Sequence, residues 1–186
     1  DSTQIPLPLG ALGEWHDVAT LTTARNNHAA AMAIDPVDGT KTYLYIIGGS
    51  NGAGAALNSV EIVDITVNGE ADQTVAATTR AAANLGTARF ELSALRGDPN
   101  SASFLGSSYL YVMGGKTSGQ ISREIEVAEV VAGGGIDSWT TTVNGQRSRA
   151  GYATAMANNT IEMACGQNGG VSSSADKAEM TATDHV

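Results

Sequence analysis

Three times along the chain a run of apolar, β-branched and aromatic residues stops at a glycine. Residues 43–47 (Tyr-Leu-Tyr-Ile-Ile) end in Gly48-Gly49, and residues 109–113 (Tyr-Leu-Tyr-Val-Met) end in Gly114-Gly115. A third run, residues 161–164, ends in Cys165-Gly166 and keeps only the second glycine. Short apolar runs cut off by turn residues predict buried strands that leave a sheet through a sharp bend. An alternating segment precedes each run (residues 27–34, 90–95 and 151–156), opened in turn by Arg25, Arg89 and Arg149. A further strand pattern follows each run and carries Glu61, Glu126 and Glu179. Trp15 and Trp139 stand ten positions before Arg25 and Arg149. The arginines recur at intervals of 64 and 60 residues. A unit of that length with four short strands predicts a propeller blade, and a helical repeat does not fit it.

These residues together resemble the kelch repeat family: an arginine-led strand, an apolar strand ending in Gly-Gly, a strand with Val-Glu, and a last strand with Trp. The resemblance covers roughly residues 13–183. It implies an all-β fold, a kelch-type β-propeller segment of about three four-stranded blades near residues 22–78, 86–142 and 147–183. Residues 1–12, with Pro6 and Pro8, read as an extended leader. Residues 14–21, with Trp15, read as the outer strand of a closing blade, and the third unit lacks such a strand. Propellers have four to eight blades. The ring is therefore expected to be completed by a dimer partner or by missing parts of a longer chain. The start at Asp1 suits a mature secreted form or a fragment.

Composition narrows the function classes. Only 16% of residues are charged, and the formal net charge is −9. Such a chain has no basic surface to displace counterions, which excludes nucleic acid and anionic membranes as partners. No segment approaches the ~20 apolar residues of a membrane span. The single cysteine excludes an intrachain disulfide, and Cys165 reads as a small buried residue. Abundant Ala, Gly, Thr, Ser and Asn suit an extracellular, cell-surface or periplasmic protein.

The histidines His16, His28 and His185 show no metal-ligand spacing, so neither a metal nor a cofactor is expected. Residues 35–39 lack the remaining oxygens of a calcium loop. The Asn158 sequon falls in a tight turn. If the resemblance holds, Arg25, Arg89 and Arg149 lie near the mouth of a central channel, with Asn27, His28 and Tyr152 close by. Arginine forks there suit carboxylates, sulfates and sugar hydroxyls. The competing reading makes each arginine an internal tie to Glu61, Glu126 or Glu179. It is favoured, because the repetition follows the blade. The function expected is a non-catalytic binding or assembly module that mediates protein–protein contacts or self-association. Its contact face would be the loops at residues 50–57, 116–121 and 167–174. Carbohydrate or small-anion binding at the channel mouth is the alternative, and an enzyme of oxidase, epimerase or sialidase type ranks below both.

Overall fold

The structure, a computed structural model, describes residues 19–65, 79–97, 108–142, 144–157 and 160–179. Trp15, His16, Asn158 and His185 lie outside them, as do the predicted leader and most of the strand predicted at 14–21. Residues 19–21 of that stretch are not strand.

All regular structure among the described residues is antiparallel sheet, apart from one 3₁₀ turn at Ala132–Gly134. The first sheet runs β1 (Ala29–Ile34), β2 (Thr42–Ile47), β3 (Val60–Asp64), β4 (Thr79–Ala81). The second runs β5 (Ser93–Arg96), β6 (Ser108–Met113), β7 (Ile125–Val131), and its outer strand is split. Both β8 (Gly135–Ile136) and β9 (Thr140–Thr141) pair with β7, at opposite ends. The third holds β10 (Ala153–Ala157), β11 (Thr160–Ala164) and β12 (Ala175–Glu179). The fourth strand of the first sheet is thus Thr79–Ala81. The backbone at 80–85 makes no helical turn.

The three sheets share one register. Ile46 pairs with Glu61, Val112 with Glu126, and Met163 with Asp176, in each case two residues before the glycine position. The first strands are neighbours, because β5 lies against both β1 and β10. Three meanders stacked face to face through their inner strands are consecutive blades.

Period-two alternation explains the stacking. In β1 the side chains of Ala29, Ala31 and Ala33 are buried, and those between them face outward. With Tyr43, Tyr45, Ile47, Val60 and Ile62 they pack on Leu92, Ala94, Leu110, Val112, Ala128 and Val130 of the second sheet. Small residues on β1 leave room for the two tyrosines. Burying each large side chain contributes roughly 1.5–3 kcal/mol. The second sheet turns Tyr111, Met113 and Val127 toward Ile161 and Met163 of the third. Polar ties pin the first two sheets together. Tyr45 Oη donates to Gly134 O at 2.8 Å, Trp139 Nε1 to Ala83 O at 3.0 Å, and Gly133 N–H to the buried Asp35 carboxylate at 2.7 Å. Between the second and third sheets, the hydroxyls of Ser93 and Thr154 meet at 2.5 Å.

Candidate functional site

Each arginine opens its blade by crossing beneath the bend that ends the apolar strand, and all three find the same kinds of partner. Arg25 donates to Gly48 O at 2.9 Å, Ser59 O at 3.0 Å and Glu61 Oε1 at 2.5 Å. Arg89 donates to Gly114 O and Glu124 O, both at 3.0 Å, and to Glu126 Oε1 at 2.5 Å. Arg149 donates to Cys165 O at 2.5 Å, Ser174 Oγ at 2.8 Å and Asp176 Oδ2 at 2.7 Å. The three side chains are at most 1% exposed. A carbonyl released by the bend, a group two residues before the acid, and the acid itself share one guanidinium. That geometry satisfies polar atoms that a sharp bend would otherwise bury unpaired.

The third tie corrects one assignment. The carboxylate that holds Arg149 is Asp176, and Arg147 reaches its other oxygen at 3.1 Å. Glu179 lies three residues further along β12, pairs with Thr160 and is exposed. Counting from the bend, as register does, would have found Asp176; matching glutamate to glutamate missed it. Each guanidinium fork is therefore held within its own blade, as the competing reading expects. The first acid illustrates the electrostatics. Burial pushes the Glu61 carboxyl up, but N–H donors of Thr22 and Thr23 and the Arg25 guanidinium outweigh it and hold it below its ordinary value.

The glycines divide their work between blades. Both members of each pair have positive φ, +61° and +99° at Gly48-Gly49 and +53° and +94° at Gly114-Gly115. A Cβ on the first glycine would stand 2.6 Å (Gly48) or 2.5 Å (Gly114) from the carbonyl of the next blade's arginine, Arg89 or Arg149. A Cβ on the second would meet a carbonyl of its own blade: Asn26 O at 2.7 Å for Gly49, Phe90 O at 2.9 Å for Gly115, Ala150 O at 2.8 Å for Gly166. So the second glycine closes the blade, and the first admits the following one.

Backbone hydrogen bonds cross at the same place. Gly49 N–H donates to Arg89 O and Gly115 N–H to Arg149 O, at 2.8 and 2.7 Å. In return Glu91 N–H reaches Asn27 O, and Gly151 N–H reaches Glu91 O, at 2.8 and 2.9 Å. Asn27, Glu91 and Gly151 occupy one blade position, two after the arginine, and all have left-handed φ of +50° to +57°. The recurrence of a turn residue at that spacing was the available signal, and sequence reasoning did not use it.

The remaining predicted residues separate. Tyr152 reaches across to the second blade, its hydroxyl 2.8 Å from where a Cβ on Gly114 would stand. Burial raises its pKa well above the ordinary value. Leu92 holds the same position over Gly48. His28 is their counterpart in the first blade and is exposed, as is Asn27. Partial burial, then Arg25, lowers the His28 pKa. Cys165 is exposed with φ +64°, a correction to the buried role expected of it: the strand ends at Ala164, and the thiol lies on the bend. Asp35 carries no calcium-like cluster; its carboxylate accepts from the N–H groups of Val37, Asp38 and Gly133. Among the described residues no three His, Cys, Asp or Glu side chains converge as metal ligands.

Three loops built alike leave each bend. Asn51 Oδ1 accepts from Ala53 and Ala55 N–H, both at 3.0 Å, and Thr117 Oγ1 accepts from Gly119 and Gln120 N–H. In the third, Asn168 N–H donates to Gly170 O. Each rests on a bridge to the arginine strand: Asn26 to Ser50, Phe90 to Lys116, Ala150 to Gln167.

A family model described as the kelch motif matches residues 37–68, the bend and apolar strand of the first blade. No curated protein matches the chain. Among 122 matching chains of solved structure is that of YjhT. It is 16% identical, with a TM-score of 0.60 over 88% of this chain. The matched region spans 45% of the YjhT chain, so this chain corresponds to a little under half of it.

Proposed function

With a kelch motif and a propeller-like all-β fold as the premise, we propose that the chain is a non-catalytic binding and assembly module of an extracytoplasmic protein. The loops at residues 50–57, 116–121 and 167–174 contact a protein partner. One observation carries this reading. The three loops repeat the same base on bridged strands, yet present different exposed side chains, among them Ser118, Gln120 and the 99% exposed Val171. A rigid frame with variable exposed tips keeps the ordering cost of binding low. The arginines argue against a channel-mouth anion site, because their terminal guanidinium nitrogens are turned onto carbonyls, hydroxyls and carboxylates of their own blades, and the one donor left over, Arg89 Nε, is buried.

The test replaces the loop tips (residues 52–54, 118–120 and 168–170) with Gly-Ser sequence in the full chain. Wild type and variant are passed over immobilised extracytoplasmic proteins and over a glycan array, after circular dichroism confirms the fold. Retained protein binding that the variant loses supports the proposal. Binding unchanged in the folded variant, or glycan binding lost on Asn27→Ala and His28→Ala, contradicts it.

A further inference from the structure

Each internal contact between blades uses one set of parts. The exit face of the earlier blade is aromatic and apolar (Tyr43, Tyr45 and Ile62 in the first; Tyr109, Tyr111 and Val127 in the second). The first glycine lies bare beneath the next arginine's carbonyl, and two backbone hydrogen bonds cross the seam. The two outer faces of the chain differ in how far they keep this set.

On the first blade the entry side is complete. Met32 is 55% and Ile34 38% exposed, in line with half-buried Leu44 and buried Ile46 on the same face. Arg25 O and Asn27 N–H, whose equivalents bridge blades elsewhere, meet no partner among the described residues. His28 stands exposed where Leu92 and Tyr152 cover the glycine of the preceding blade. On the third blade the exit side is dismantled. Thr160, Glu162 and Lys177 replace Tyr43, Tyr45 and Ile62, and Glu162 pairs with Lys177 across the strands. Cys165 replaces the first glycine. That is the one glycine whose bareness only a following blade requires, and Gly166, which its own blade requires, is kept.

We propose that the chain is a one-ended assembly element. The entry face of the first blade receives a kelch-type blade that carries a true glycine pair and an aromatic exit strand. The exit face of the third blade receives none. The Cβ of Cys165 stands where a following arginine carbonyl would have to lie, at about the 2.5–2.6 Å separation found for Gly48 and Gly114. Glu162 and Lys177 would lose their water against an apolar face, at a cost their mutual attraction does not reliably recover. A polar outer face is what terminal repeats present to solvent. A head-to-tail ring of two copies, one of the completions expected from the sequence, then does not form. This inference rests on the assembly reading, but its test leaves the loops untouched, so either can fail alone.

The experiment compares solution mass by sedimentation equilibrium for the full wild-type chain and a variant with Cys165→Gly, Glu162→Tyr and Lys177→Val. In the variant the restored exit face serves as the docking blade. Wild type is expected to stay a single chain at all concentrations. The variant is expected to associate, and Met32→Glu added at the other end is expected to lower its association constant at least about tenfold. Wild type that self-associates by either face overturns the proposal, and so does a folded variant that remains single. The alkylation rate of Cys165 in wild type needs no variant: it is expected to be independent of protein concentration, and protection at high concentration contradicts the proposal.

Discussion

At the scale of single residues, three buried guanidinium–carboxylate ties hold the bends. Arg89 and Glu126 are both almost wholly buried. Arg89→Ala therefore leaves the buried Glu126 carboxylate without its counter-ion and takes a donor from both Gly114 O and Glu124 O, and is expected to destabilise the protein by about 3–5 kcal/mol in guanidinium denaturation. Glu61 adds a pH signature. Its carboxyl is held below the ordinary 4.5, so the stability it contributes is fully present above that value. That contribution is lost as pH falls through the lower, folded value. Denaturation midpoints should fall as pH drops below about 4.5, and Glu61→Gln should flatten that fall. Glycine tests are equally specific. Gly48→Ala and Gly114→Ala add a Cβ against a neighbouring carbonyl at positive φ and should cost about 2 kcal/mol or more. Cys165→Gly relieves the same left-handed strain but frees the unfolded backbone, and should change the stability of the single chain by within about 1 kcal/mol.

At the scale of elements, the blade holds because each strand alternates and each bend is pinned. The Tyr45 and Trp139 hydrogen bonds join separate blades, so Tyr45→Phe and Trp139→Phe are each expected to cost about 1 kcal/mol, measured as a shift in denaturation midpoint. This level was the most legible in the sequence. Apolar runs with period-two neighbours placed β2, β6 and β11, because a buried strand must be apolar whatever surrounds it. The outer strands were less legible. They pair on one side only and carry short, polar sequences such as Thr140-Thr141, which no periodicity separates from loop. The candidate site was legible by repetition and misread in one acid. Asp176 takes the place of glutamate, and only register with Met163 identifies it. What distinguishes a bare glycine from a tolerated Cys165 lies on the neighbouring blade, beyond the reach of local pattern.

At the scale of the whole molecule, three blades of one register stack through an apolar layer and a narrow backbone seam. The seam decides direction. It is closed twice inside the chain, presented at the first blade and obstructed at the third. The most direct test of the stacked-blade account is amide hydrogen exchange in the full chain, resolved by residue. Gly49, Glu91, Gly115 and Gly151 are expected to exchange as slowly as the central strands, because their amides cross the seam, whereas Gly166 should exchange orders of magnitude faster. Fast exchange at Gly49 and Gly115, or protection of Gly166 equal to theirs, would contradict it.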